Sequence, residues 1–196
     1  MSVDYAVDLA KVVVLLKEAN MKMRYLLLVG VLASSAAMAQ ADVSEPQDIL
    51  TKDGMVNITW QQPDSYRDIK AGSDIQSRFE KRLFNALTAS LNKQAEQVLK
   101  TGQSLELTVT NLDLAGDMRP TFGATANDLR VVKNIYPPRI SFSYKLLSDG
   151  KVMVAGTENL SDINFLGGIQ SGHQKAFHYE AKMLDKWLEQ MVKTVY

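Results

Sequence analysis

The chain has 196 residues, 46% hydrophobic and 22% charged, which is ordinary for a globular protein and enough for one core. Its 22 Lys and Arg balance 22 Asp and Glu, so no global field draws nucleic acid, an anionic membrane or an acidic partner. Cysteine is absent, which excludes disulfides, a thiol nucleophile, cysteine-ligated zinc or iron–sulfur centres, and a lipoprotein anchor.

The first readable element is a targeting segment. Lys22 and Arg24 precede the apolar run Tyr25 to Ala33, and small residues follow up to Ala37-Met38-Ala39, in the basic, apolar, A-x-A order of a secretory signal. The run is short for a membrane span. Residues 21–39 are therefore expected to be a signal peptide, with Gln40, or Asp42 if the cut follows Ala41, as the first mature residue. Residues 1–20 are acidic and apolar where a signal needs a short basic start. They read as an over-extended gene start, with Met21 or Met23 as the initiator.

After a polar lead-in from Asp42 to Asp53, residues 55–60 alternate as a half-buried strand does, and Pro63 ends them. Ser73 and Gln76 have capping-box spacing. Ile75, Phe79, Leu83, Leu87, Leu91, Ala95 and Val98 then form the stripe of a long helix, with Gly102 just past its end. Leu105, Leu107 and Val109 share one strand face, whereas Leu112 and Leu114 have the opposite parity, which predicts a bulge or turn near Asn111. Residues 116–136 read as a long surface loop. Residues 139–147 alternate again and pass through Ser148-Asp149-Gly150-Lys151 into a hairpin. Ser171 and Gln174 offer a second capping box. The last helix is marked by Phe177, Ala181, Leu184, Leu188, Met191 and Val195, and widened by Met183 and Trp187. The order β-α-β-β-β-α predicts an α+β two-layer sandwich, a mainly antiparallel sheet with two helices on one face. Residues 40–196 form its single mature domain.

Familiar chemical motifs fail on inspection. Gly167 and Gly172 have phosphate-loop spacing, but His173 and Gln174 stand where a lysine and a hydroxyl residue are required. Ser171 lacks the G-x-S-x-G elbow of a nucleophilic serine. His173 and His178 are five apart, about 140° around a helix, and so do not share a face for a metal. The aromatic residues have core spacing with little basic interleaving, which disfavours base stacking. No metal or cofactor is expected.

One charged group carries more interest: Asp68, Asp113, Asp117, Arg119, Arg130, Arg139 and Glu180. Arginines beside strand starts can clamp a carboxylate bidentately, or can tie loops to the sheet in an internal network. The parity change and Gly116 place Asp113 at a corner, where Arg130 and Arg139 are its expected partners, with Asp117 and Arg119 facing solvent.

At these residues the chain resembles an uncharacterised family of exported bacterial proteins, domain of unknown function three-thousand-sixteen. The matching stretches are Tyr66-Arg67-Asp68-Ile69, Gly102-Gln103-x-Leu105, Leu112 to Gly116, Leu129-Arg130, Pro137 to Ile140, and Tyr179-Glu180 with Met183, Leu184 and Trp187. The resemblance implies a signal peptide, one small domain, proteobacterial origin and no established activity. It supplies no catalytic residue.

The expected function is that of a soluble periplasmic domain, non-catalytic, binding a periplasmic ligand or supporting an envelope assembly. It would have no nucleic-acid partner and no membrane anchor once the signal is cut. The alternatives are a small hydrolase using carboxylates of the Asp113 to Asp117 loop, or a subunit docking by its sheet edge. N-terminal sequencing of the protein from its native host should begin at Gln40 or Asp42; a cytoplasmic chain starting at Met1 or Met21 would defeat the export assignment.

Overall fold

The computed structural model describes residues 47–72, 74–119, 129–167 and 175–196, all within one compact unit, Ser44–Tyr196. The export segment, the proposed caps at Ser73 and at Ser171 with Gln174, Gly172 and His173 lie outside the described residues.

Two short strands open the fold, β1 (Ile49–Asp53) and β2 (Val56–Trp60), paired antiparallel around a two-residue turn. Gly54 takes φ 48° there, and the Asn92 side chain occupies the space that a Cβ would need. Asn92 Oδ1 also accepts from the Met55 N–H at 3.1 Å, which pins the hairpin to the helix beneath it. β1 falls in the segment expected to be a polar lead-in. Its buried residue is Thr51, so it shows no apolar alternation. The Thr51 hydroxyl accepts from Trp60 Nε1 at 2.8 Å and lies 2.6 Å from the Thr88 hydroxyl, completing a polar network inside the core.

Helix α1 (Gln76–Val98) and helix α2 (His178–Val195) cover one face of the sheet. The apolar stripe of α1 is buried through Leu83, Leu87, Leu91 and Ala95 as expected, but the ends differ. Ile75 is the N-cap and is 58% exposed. Gln76 reaches back to the preceding chain, with Nε2 donating to the Ile69 carbonyl at 2.7 Å and Oε1 accepting from the Ala71 N–H at 3.0 Å. The helix stops at Val98, and Gly102, with φ 83°, serves the turn into the next strand. Contacts between Phe79 and Phe177, and between Gln94 and Glu189, show that the two helices run in the same direction.

Strand β3 (Gln103–Asp113) is central. It pairs parallel with β2 and antiparallel with β6 (Arg139–Ser148), which pairs with the edge strand β7 (Lys151–Ser161). Asp149 and Gly150, both at positive φ, turn β6 into β7 as the Asp-Gly pair leads one to expect. Between β3 and β6 lies a short hairpin of β4 (Asp117–Arg119) and β5 (Leu129–Val131), where a loop was expected. The architecture is the expected α+β sandwich with a mainly antiparallel sheet. The element order is corrected from β-α-β-β-β-α to β-β-α-β-β-β-β-β-α, because β1, β4 and β5 are too short or too polar to show a period. Among the described residues, no helix is long and apolar enough to cross a membrane.

The core closes with aromatic pairs. Trp60 stacks on Phe84 at 4.4 Å, and Trp187 meets Phe142 and Tyr144 edge-on at 4.7 and 5.1 Å. Trp187 is only 5% exposed, and its Nε1 is buried with no hydrogen-bond partner among the described residues. Trp187→Ala should therefore cost roughly 3–5 kcal/mol in chemical denaturation, as large buried aromatics do. Trp187→Phe should cost clearly less, because it keeps the ring contact and removes an unpaired donor. Equal losses from the two variants would show that the indole N–H carries the contribution.

Candidate functional site

The site begins with an irregularity in β3. Its register against β6 shifts between Val109 and Asn111, as the parity of the leucines predicts. Before the shift Leu105, Leu107 and Val109 face the helices; after it Leu112 and Leu114 do, so Asp113 is turned out of the core. The Val109 carbonyl at this point accepts both the Gln61 N–H at 2.9 Å and the Tyr66 hydroxyl at 2.7 Å. Burial pushes the Tyr66 hydroxyl above the usual tyrosine range, which keeps it a donor.

Past Asp113 the chain turns at Gly116, with φ 93°. A Cβ there would lie 2.8 Å from the Val131 carbonyl oxygen, and the Gly116 N–H donates to the Tyr136 carbonyl at 3.0 Å. Only glycine meets both demands without displacing backbone.

The seven charged residues singled out in the sequence converge near this corner, but they divide by role. Asp68, itself at φ 53°, is held twice by Arg130: Nη1 lies 2.8 Å from the carboxylate and Nη2 2.7 Å from the backbone carbonyl. Glu180, in the first turn of α2, is buried and accepts the Ala115 N–H at 2.7 Å. Burial raises its proton affinity above the usual carboxylate range, against the pull of that N–H. Arg119 lies 2.8 Å from Asp117 and donates to the Tyr136 hydroxyl at 2.6 Å, with its side chain 55% exposed. These contacts are structural pegs.

The expected pairing of Asp113 with Arg130 does not form, because Asp68 takes that guanidinium. Arg139 is the register partner of Asp113 across β6, but among the described residues no cation closes an ion pair with Asp113. Burial pushes the Asp113 carboxyl upward, opposed first by Arg67, reinforced by Asp68, and opposed again by Arg139 and Arg130. Asp113 lies in a cleft of about 310 Å³ with Arg67, Tyr136 and Arg139, and the ion-paired Asp68 and Asp117 also line it. Arg67 and Arg139 are exposed there and have no ion-pair partner among the described residues. Arg67 stands in the sequence only within the Tyr66-Arg67-Asp68-Ile69 stretch, beside the more conspicuous Asp68, and that stretch is the one sequence signal for it.

The arrangement can hold an oxyanion between two guanidiniums, with a carboxyl of raised proton affinity beside it. Among the described residues, no group of His, Asp and Glu is placed to hold a metal ion.

The separation of pegs from cleft has a measurable consequence. Asp68→Ala should lower stability by about 1–3 kcal/mol, since it strips a largely buried guanidinium of its charged acceptor. Asp113→Asn should not. A raised folded-state pKa means that wild type loses stability as pH rises through it, and asparagine has no such loss. Urea midpoints for Asp113→Asn should therefore gain on wild type between pH 4 and pH 7.5. A variant that falls behind wild type over that interval would mean that the carboxylate is stabilised by the fold.

No curated protein and no solved structure matches the chain. A family does: residues 54–190 match the one described as protein of unknown function, DUF3016. That span runs from the β1–β2 turn into α2 and includes the bulge, both arginines of the cleft and every peg around them. The chain belongs to this family, the DUF3016 proteins of unknown function.

Proposed function

We propose that the chain is a soluble, exported periplasmic domain that binds a small oxyanion, a carboxylate in the first instance, at the Arg67–Asp113–Arg139 cleft without chemical turnover. The carrying observation is the pair of guanidiniums that share this cleft and make no ion pair among the described residues. Export rests on Lys22, Arg24, the apolar run and Ala37-Met38-Ala39. Hydrolysis by a carboxylate pair is less well supported: it needs a second free acid near Asp113, and Asp68 and Asp117 are committed to Arg130 and Arg119. Docking by the β7 edge is opposed by two features of that strand, the irregular pairing at Leu146/Leu147 and the charge of Glu158, which stands directly across from Phe142 on the same face of the sheet.

The test is purification of the mature protein from its native periplasm, followed by mass spectrometry for retained small acids. Each acid recovered is then titrated calorimetrically against wild type and against Arg67→Ala and Arg139→Ala. Each variant should bind about 10- to 100-fold more weakly, the loss of one charged hydrogen-bonding group, with an unchanged melting temperature. Undiminished binding by both variants, or conversion of the recovered acid by the wild-type protein, would overturn the reading.

A further inference from the structure

A larger cavity lies away from the corner. Between α1 and α2 runs a furrow of about 580 Å³, inside the range of small-molecule sites. Its origin is local. Phe79 meets Phe177 at 5.7 Å at one end, and Gln94 Nε2 donates to Glu189 Oε1 at 2.9 Å at the other, which fixes the spacing of the helices. Between these brackets the facing positions are Ala86, Ala89 and Ala181, too small to fill the gap, and Leu87 lies at its floor. Helices held at a fixed distance with an unfilled apolar gap forgo the contacts that a close-packed interior makes.

The rim is basic. Lys93 comes from α1, Lys182 from α2 and Lys175 from the segment leading into α2, so three elements bring a lysine to one opening. All three lysines are exposed, and none is ion-paired among the described residues. A single carboxylate, Asp185, lines the same furrow. Burial pushes it up to about 6, opposed by the Ser90 hydroxyl and by Lys93 and reinforced by Glu189 at the far bracket; the two acids together offset at most two of the three lysines.

We infer that this furrow is a second binding site, for an amphipathic carboxylate: an apolar chain lies over the alanines and Leu87, and its carboxylate sits among Lys93, Lys175 and Lys182. The volume of the furrow suits a small molecule, and the rim charge selects an acid over an alcohol or an amine of the same chain. The site is separate from the corner cleft and stands or falls without it.

Isothermal titration of the mature chain with octanoate, 1-octanol and octylamine tests the inference. Octanoate should give saturable one-to-one binding, 1-octanol should bind at least about tenfold more weakly, and octylamine should give no signal. Ala89→Leu, at an exposed helix position that a larger side chain occupies without strain, should weaken octanoate about tenfold or more at an unchanged melting temperature. Lys93→Glu with Lys182→Glu should abolish binding even if Ala89→Leu fails to fold. Arg67→Ala with Arg139→Ala should leave it untouched. Equal affinities for octanoate and 1-octanol, no saturable octanoate signal, full binding by the Lys93/Lys182 double variant, or loss of binding in the corner variant would each overturn the inference.

Discussion

One extra residue in β3 decides what the corner of this molecule presents. Thr110 has no register partner between Val109 and Asn111, and the strand resumes with its faces exchanged. A straight strand would send Asp113 toward the helices and Leu112 and Leu114 into water. With the bulge, the leucines join the core and the acid meets the cleft. The distortion is held in place from outside the strand, because the Tyr66 hydroxyl occupies the carbonyl where regular pairing is interrupted. Tyr66 and the Asp68–Arg130 pair thereby fix the segment that also carries Arg67.

Around that bulge, charge is distributed unevenly and to effect. A buried carboxylate is costly unless a donor meets it, and Glu180 is met by the Ala115 N–H. A largely buried guanidinium is costly without an acceptor, and Arg130 has two on Asp68. The groups left over, Arg67, Arg139 and Asp113, line the cleft beside the already paired Asp68 and Asp117, so the sorting leaves two guanidiniums and one carboxyl there without an ion-pair partner among the described residues.

How far this was legible in the sequence varied with distance along the chain. The bulge was readable because the leucines on either side of Asn111 report their faces by parity. The β6–β7 turn was readable from Asp149-Gly150, and both helices from their stripes. β1 was not, since an edge strand with one buried threonine leaves no apolar period. The start of α1 is less legible: Ile75, which continues the apolar stripe, is the N-cap, and Gln76 bonds back to the Ile69 carbonyl and the Ala71 N–H. The parallel neighbourhood of β2 and β3 and the choice of Asp68 by Arg130 depend on residues brought together from far apart, 62 positions in the second case, and no local pattern encodes such a choice. The resemblance stretches at Tyr66, Leu112, Leu129, Pro137 and Tyr179 are separate in the sequence; folded, they surround one corner.

The strand order also has a kinetic side. Two hairpins, β1–β2 and β6–β7, close over two-residue turns and are cheap in chain entropy. The central strand β3 is different: its partner β2 lies before a 23-residue helix, and β6 lies beyond the β4–β5 hairpin. Closure entropy is therefore concentrated on the docking of β3 between two locally formed units, the kind of non-local step that sets folding speed in mixed folds. The same strand carries the bulge, so the geometry of the cleft depends on that non-local docking and on both flanking hairpins rather than on any local turn.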